Sequence, residues 1–393
     1  MNIEKTRKIK DYIIIILASL IMAAFFSFVF YRQAIMHNGE YISDLPTIIN
    51  MALTTRPASV LLAFIRLLLE KTGYMLYSVG LFEGLLMGFT WAYGCLFIHR
   101  HFGFKMPAAR LLSFGLLFLT GIAVPVLFPR FFNGSIVTQP WQNISYIAMR
   151  AFALPAMYYF VDLFRIYSEE KRIAWKYWIL TCVMTFLATL MKTGFIMVFA
   201  TALTGFLLFD IIKKKTDIKT AVLMGALLIP SLILLFVQYY LLATQAEGEP
   251  YRIIFGLSGF FFSEGILFFI MKFISGLAFP AIVLWHNRRR LRRDTAAVIA
   301  GYDLALIEAM LFVEGGAREG AGSFLWGMML YAYFLFLYTV PMLISDLTEK
   351  KQGNKNAGSE RLYRIIGTIL MLLHLGCGLY YYYWLMKGNY FYI

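Results

Sequence analysis

The hexapeptide Arg288-Arg289-Arg290-Leu291-Arg292-Arg293 lies between two apolar segments, 265–285 and 295–313. Further basic clusters punctuate the chain in the same way, and almost every stretch between them is apolar and long enough to cross a bilayer. They are Lys5 to Lys10, Arg100 to Arg110, Arg165 to Lys176, Lys213 to Lys219 and Lys350 to Arg364. The six clusters hold 25 of the 36 basic residues. Because basic residues stay on the cytoplasmic side of membrane proteins, this spacing predicts a multi-pass chain whose clusters are all cytoplasmic.

The composition excludes an ordinary soluble domain. The chain is 60% hydrophobic and 15% charged, whereas soluble domains are about 45–50% apolar and about 25% charged. The net charge of +14 follows the membrane spacing of the clusters and forms no single basic face, which argues against a nucleic-acid partner. The three cysteines all fall in apolar segments without metal or redox spacing. Lipid is therefore the expected solvent for much of the surface.

A membrane-spanning helix needs about 20 apolar residues, and we predict eleven such segments. They are 12–31, 74–98, 108–128, 146–166, 177–192, 194–212, 219–242, 265–285, 295–313, 325–345 and 364–386. The predicted fold class is all-α, a polytopic helical bundle in one integral membrane domain covering residues 1–393. The predicted location is the cell membrane, with the N-terminus cytoplasmic and the C-terminus outside. The pair 177–192 and 194–212 could instead be re-entrant.

Two connecting segments are long enough to interpret. The first outer loop covers about 32–73, and its part from Ala58 to Leu69 is apolar but short and interrupted by Arg66. This pattern is typical of an amphipathic helix lying in the membrane interface, with Pro57 near its start. The polar segment of about 346–363 is the expected cytoplasmic loop.

The first outer loop also carries two candidate acids, Glu40 and Asp44. A carboxylate held at the membrane surface can bind a divalent cation or act as a general base. Asp44 could equally cap a helix that begins at Leu45-Pro46, since Asp is a good N-cap and Pro suits the first turn. Asp44 is the candidate catalytic residue, and Glu40 a candidate substrate contact.

Candidate substrate-binding residues lie in other outer segments. Charges and glycines alternate from Glu314 to Trp326, where Arg318 could hold a phosphate and the glycines permit close approach. Before and within the fourth predicted span, an aromatic ring and hydrogen-bonding groups could contact a sugar. The whole set is Trp141, Asn143, Arg150, Lys192, Glu314, Arg318 and Trp326. Because Arg150 is costly within a span unless it is paired or hydrated, we expect it to share one outer cavity with Asp44 and Arg318.

The chain resembles bacterial polytopic membrane glycosyltransferases of the glycosyltransferase C type. The resemblance rests on the cytoplasmic N-terminus, the long first outer loop with Gly39-Glu40-Tyr41-Ile42-Ser43-Asp44, the interfacial segment after it and the number of spans. Where that family has a paired Asp-x-Asp, this chain has only Ser43-Asp44. The resemblance implies that the outer-loop acid is a base or metal ligand, that Mg²⁺ or Mn²⁺ is a cofactor, and that the donor is a polyprenyl-phosphate-linked sugar.

The function expected from these features is sugar transfer at the outer face during cell-envelope or exopolysaccharide biosynthesis, with membrane lipids and a polyprenyl-phosphate-linked glycan as partners. The chain also resembles membrane proteins of polysaccharide gene clusters, so a polysaccharide polymerase is an alternative. Short late loops favour the transferase. A transporter or flippase for a lipid-linked or anionic solute is a second alternative, with Glu83, Lys272 and Glu308 along its route. A non-catalytic scaffold is a third.

Overall fold

The computed structural model describes residues 3–35, 44–54, 59–122, 143–245, 252–262, 265–315, 324–348 and 357–387, which are almost entirely helical. A 3₁₀ turn, Ala226–Leu228, joins α9 to α10. The strands are β1 (Arg252–Phe255) and β2 (Phe312–Gly315). The helices are α1 (Ile3–Ile35), α2 (Asp44–Thr54), α3 (Val60–Lys71), α4 (Tyr77–Phe102), α5 (Met106–Leu116), α6 (Ile144–Glu170), α7 (Trp175–Met191), α8 (Gly194–Ile212), α9 (Ile218–Gly225), α10 (Ile229–Gln245), α11 (Gly259–Phe262), α12 (Ile266–Asn287), α13 (Arg293–Leu311), α14 (Leu325–Thr348) and α15 (Ala357–Lys387).

Within the described ranges, eight helices are long and apolar enough to cross a membrane. They are α1, α4, α6, α8, the α9–α10 pair, α12, α14 and α15. The chain is therefore a multi-pass helical membrane protein, as its composition predicted. The remaining three predicted spans correspond to shorter or more polar helices, α5, α7 and α13. The total of eleven spans stays a prediction.

The segment predicted as a helix over 108–128 is broken. Helix α5 ends at Leu116, and residues 119–122 follow without helical structure. Their backbone bonds to two neighbouring helices, with Thr120 N donating to His374 O at 3.5 Å and Ile122 N donating to Ser275 O at 2.8 Å. His374 Nδ1 donates in turn to Thr120 O. Because His374 and Ser275 lie near the middle of α15 and α12, this unwound backbone is satisfied by protein at mid-bundle depth, where lipid offers no partners.

The segment predicted as the first outer loop contains two helices. Helix α2 begins at Asp44, as expected from its helix-starting sequence. Helix α3 covers most of the predicted interfacial segment, and the Ser59 side chain caps it by accepting from Leu62 N at 3.3 Å. Its buried residues, Leu61, Ile65 and Leu69, recur every four positions and so form one face. With 12 residues it is too short to span, although its position relative to the membrane plane stays a prediction.

A two-stranded antiparallel ribbon is the one sheet in the described residues. Strand β1 pairs with β2 in a register that places Ile253 opposite Glu314. The alternating charges and glycines from Glu314 onward thus begin inside a strand. Helix α13 ends at Leu311, and β-branched and aromatic residues in both strands favour an extended pair there.

Helices α1 and α4 pack at unusually short distance through small residues. Gly80, Gly84 and Gly88 recur every four positions, so they form one face of α4. A methyl group added at Gly84 would lie 2.2 Å from Ala23 O, and one at Gly88 would lie 2.4 Å from Ser19 O. Only glycine permits this separation, which is how small residues let membrane helices associate without a hydrophobic driving force.

The basic clusters gather at one end of the bundle, called the basic end below. Hydrogen bonds and ion pairs join successive clusters or residues beside them. These contacts are Asp11–Arg110, Arg100–Asp162, Asp162–Arg165, Asp210–Arg293, Arg292–His101 and Asn287–Asp346. The opposite end, called the far end, carries the start of α6, the turn between α7 and α8, and the start of α14. The described residues of the clusters thus share one side of the bundle, as predicted.

The sidedness itself can be tested with reporter fusions. Alkaline phosphatase, active only outside the cytoplasm, should be inactive when fused after Lys215 and active when fused after Phe391, because an odd number of predicted spans separates these points. A fusion after Arg293 should match the one after Lys215. Equal activity after Lys215 and Phe391 would contradict the predicted topology.

Helices α6 and α14 form the centre of the bundle. In each, 89% of the most apolar stretch is buried, compared with 28% in α1 and 22% in α15. The central pair is joined near the far end by a bond from the Tyr146 hydroxyl to Met329 O at 3.4 Å. Polar residues of α6 and α14 are therefore shielded from lipid by the surrounding helices.

Candidate functional site

The N-terminus of α6 is fixed by a side chain at the far end. Asn143 is 5% exposed, and its Oδ1 accepts from Tyr146 N at 2.8 Å. Ser145 Oγ donates to the same oxygen at 2.8 Å. This is a conventional Asn N-cap, so the sequence Asn143-Ile144-Ser145-Tyr146 both starts the helix and places oxygen acceptors at its end.

Lys192 reaches this cap from the turn between α7 and α8. Its backbone is extended, with φ −164° and ψ 140°, which ends α7 and lets the chain reverse direction. Lys192 Nζ donates to Ser145 Oγ at 2.9 Å and to Asn143 Oδ1 at 3.3 Å. The ammonium also lies 3.9 Å from the centroid of the Trp326 ring, which is cation–π distance. The three segments that carry these residues are far apart in sequence but meet here.

Close packing of α8 against α14 explains why Trp326 faces Lys192. A methyl group on Gly327 would lie 2.7 Å from Gly194 O, so neither glycine could be larger without moving the helices. Trp326 precedes Gly327, and Lys192 lies two residues before Gly194. The far-end cluster, defined as Asn143, Ser145, Tyr146, Lys192 and Trp326, is therefore set by a glycine contact. Lys192, Ser145 and Trp326 remain partly exposed.

Arg150 lies below the far-end cluster and is completely buried. The guanidinium carbon lies 5.6 Å from the Tyr146 ring centroid and 5.2 Å from that of Tyr333. Arg150 Nη2 contacts Met87 Sδ at 3.0 Å. The Tyr146 ring is 5.9 Å from Trp326, so it connects Arg150 to the cluster.

Within the described residues, Arg150 Nε and Nη1 have no hydrogen-bond partner, and the predicted pairing of Arg150 with Asp44 stays a prediction. Aromatic faces carry partial negative charge and substitute for a carboxylate.

The other candidates lie elsewhere or outside the described residues. Glu314 is in β2 and is 5% exposed, so it is a buried ribbon residue at the far end. Asp44 begins α2, but its side chain lies outside the described part, as do Glu40, Trp141 and Arg318 entirely. The predicted cavity shared by Asp44, Arg150 and Arg318 stays a prediction. The structure does bring together Asn143, Lys192 and Trp326, with Arg150 beneath them.

A divalent cation also stays a prediction. In the described residues there is no group of three or more His, Cys, Asp or Glu side chains that could hold a metal ion. The first-loop acids on which the cation depends, Glu40 and Asp44, have side chains outside those residues.

The residues proposed for a transport route lie on three different helices. Glu83 on α4 is 1% exposed, and both of its carboxylate oxygens are buried without a hydrogen-bond partner in the described residues. Lys272 on α12 is buried, whereas Glu308 on α13 is half-buried. These three residues could be identified from the sequence because each is an ionisable residue within a predicted span.

The unwound backbone that follows α5 and contacts α12 had no sequence signal other than Gly115 and Gly121 near the break.

Comparison of the chain with family models, with curated proteins and with solved structures found no match.

Proposed function

We propose that this protein transfers a sugar from a polyprenyl-phosphate carrier at the membrane face formed by the far end. The observation that supports the proposal most is the far-end cluster, in which a lysine, an amide, a hydroxyl and two aromatic rings meet at a partly exposed position. A phosphate needs a cation, and a sugar needs hydrogen-bonding groups beside an aromatic face. The cluster supplies both within one site.

In this proposal each residue has a distinct task. Lys192 neutralises charge on the leaving phosphate, which develops during transfer and is stabilised best by a fixed cation. Asn143 and Ser145 hydrogen-bond the sugar or hold Lys192, while Trp326 and Tyr146 contact the ring. Asp44 is the proposed base for the acceptor hydroxyl, with Mg²⁺ or Mn²⁺ as its proposed cofactor. Glu40, Trp141, Glu314 and Arg318 complete the proposed substrate contacts.

Arg150 supports anion binding from below. Its charge is fully buried, and a charge in low dielectric acts over longer distances than one in water. Arg150 also packs on Tyr146, so it holds that ring in position under the cluster. We therefore treat Arg150 as a positioning residue, because it is buried beneath the cluster and packs on Tyr146.

The proposal is tested by two substitutions and one control. Asp44→Asn should abolish the surface glycan of a strain in which the variant replaces the parent protein. Lys192→Gln should lower kcat/KM for sugar transfer in purified membranes about 10- to 100-fold, which is the range for losing a charge-assisted hydrogen bond. Lys176→Gln, an exposed basic-end residue, should leave transfer unchanged. Normal amounts of glycan from Asp44→Asn would show that Asp44 is not catalytic. Normal transfer by Lys192→Gln would show that the far-end cluster is not part of the site.

Transport of a lipid-linked anion is the second candidate, and one observation favours it. The unwound backbone at residues 119–122 lies at mid-bundle depth between α12 and α15, and transporters bind substrate beside such interruptions. Buried Lys272 lies one helical turn before Ser275, whose carbonyl receives Ile122 N. Exchange of a fluorescent polyprenyl phosphate between leaflets of vesicles containing only this protein would favour transport, whereas sugar transfer without exchange would favour the transferase.

A further inference from the structure

A cavity of about 380 Å³ opens at the basic end, between the last turns of α4 and α6 and the start of α13. Its volume is within the range of small-molecule sites, which is about 300–1,000 Å³. Four arginines and a histidine dominate the wall, accompanied by two acids. The lining residues are Arg100, His101, Val161, Phe164, Arg165, Ser168, Glu169, Arg292, Arg293 and Asp294. This cavity lies at the end of the bundle opposite the far-end cluster.

The guanidinium groups are held in place before any ligand arrives. Arg292 donates to Asp294 through two nitrogens, from Nε to Oδ1 at 3.0 Å and from Nη2 to Oδ2 at 2.5 Å. The guanidinium carbon of Arg292 lies 5.4 Å from the Phe102 ring centroid. Arg293 pairs with Asp210 and also lies over an aromatic ring. The Tyr338 hydroxyl donates to Asp294 at 3.0 Å and so fixes that carboxylate. Arginines ordered in this way lose little side-chain entropy on binding an anion.

The positive charge in the wall exceeds what its buried acids neutralise. Three acids, each less than 9% exposed, form ion pairs with the four arginines. They are Asp162, Asp210 and Asp294. Asp162 is shared, since it accepts from Arg100 at 2.8 Å and from Arg165 at 3.3 Å.

Arg165 has the weaker share of Asp162, and its side chain is 60% exposed. It therefore retains donors for a ligand, because a guanidinium offers five N–H groups.

We propose that this basic-end cavity binds a phosphate group, carried either by a small soluble anion or by a lipid headgroup. Guanidinium pairs match the geometry of phosphate oxygens, and Ser168 Oγ at the same wall supplies a hydroxyl. Of the two acids in the wall, Asp294 is occupied by Arg292, and Glu169 is exposed at the rim. The site is additional to the proposed sugar-transfer site and does not depend on it.

Binding should be measured on the full-length protein in phosphatidylcholine nanodiscs. One arm titrates inorganic pyrophosphate by calorimetry. The other counts bound phosphatidic acid by native mass spectrometry, after incorporation into discs that contain both lipids. Pyrophosphate binding identifies a soluble anion as the ligand class, whereas retention of phosphatidic acid alone identifies a headgroup.

Arg165→Gln should weaken binding of whichever probe is bound about tenfold, the change expected for one charge-assisted hydrogen bond. Because that side chain is largely exposed, folding should be preserved, and an unchanged Tm checks it. Glu169→Gln should strengthen binding, since it removes a negative charge from the rim. The matched control is Arg172→Gln, an exposed basic-end arginine paired with Glu170 outside the cavity.

Two results would overturn the proposal: no binding of either probe by the parent protein, or equal weakening by Arg165→Gln and Arg172→Gln, which would indicate a nonspecific basic surface. Lys192→Gln should bind that same probe as tightly as the parent protein does. Loss of the sugar-transfer function therefore leaves this proposal intact, and loss of probe binding leaves sugar transfer intact.

Discussion

Gly84→Leu should prevent this protein from reaching its folded state. At the present helix separation even a methyl group would be 2.2 Å from Ala23 O and 2.2 Å from Ser27 Oγ. A leucine side chain would force α1 and α4 apart along the whole face from Gly80 to Gly88. Overpacking alone costs about 1–3 kcal/mol, and loss of the remaining close contacts of this pair adds to that. We expect no monodisperse peak in size-exclusion chromatography after detergent extraction.

The matched control is Gly205→Leu in α8, since no heavy atom lies within 4 Å of a methyl group placed there. That variant should elute like the parent protein, because the added side chain enters open space. A monodisperse peak and an unchanged Tm for Gly84→Leu would show that the α1–α4 contact is wrong.

Gly378→Ala should destabilise the protein strongly, although it adds a single methyl group. That methyl would lie 1.4 Å from Phe118 O, at the point where the chain leaves α5 and becomes unwound. The neighbouring backbone is held by bonds to α12 and α15, so it cannot retreat without breaking them. We expect the free energy of unfolding to fall by about 3 kcal/mol or more, and a lower Tm of the purified protein would show it.

Gly376→Ala is the natural comparison, because it is in the same helix two residues earlier and meets no heavy atom within 4 Å. Replacing a helix-interior glycine by alanine favours the helix by about 1 kcal/mol, so the Tm should be equal or higher. Similar Tm values for the two variants would contradict the close approach of residue 118 to α15.

The membrane-spanning helices, and the one end of the bundle at which the basic clusters lie, could be predicted from the sequence because a lipid bilayer imposes simple rules. Apolar length gives the spans, and clusters such as Arg288 to Arg293 give the side. Neither rule describes what happens between helices. Thr120 and Ile122 are within an apolar run, so hydropathy does not indicate that the backbone of Thr120 bonds to α15 and that of Ile122 to α12. The four-residue spacing of Gly80, Gly84 and Gly88 in the sequence does indicate close helix packing, although a hydropathy profile does not detect it.

The candidate site was predictable only in part, for a similar reason. A charge within or beside a span made Arg150 and Lys192 candidate site residues. The partners were not predictable, because Lys192 meets Asn143 and Trp326 only after three separate segments fold together. The two tyrosine rings that pack on Arg150 had no signal in the sequence either, and its place beside Asp44 stays a prediction.

The central position of α6 has a consequence for how the protein is made. Its bond from Tyr146 to Met329 joins residues 183 positions apart, so α6 leaves the ribosome long before α14 exists. During that interval the buried Arg150 has only earlier helices, chiefly α4 with Met87, to keep it from lipid. Biogenesis therefore passes through an incomplete bundle that α14 completes late. Any chain ending before Leu325 lacks Tyr333 and so leaves Arg150 without one of its two aromatic neighbours, which makes truncated products substrates for membrane quality control.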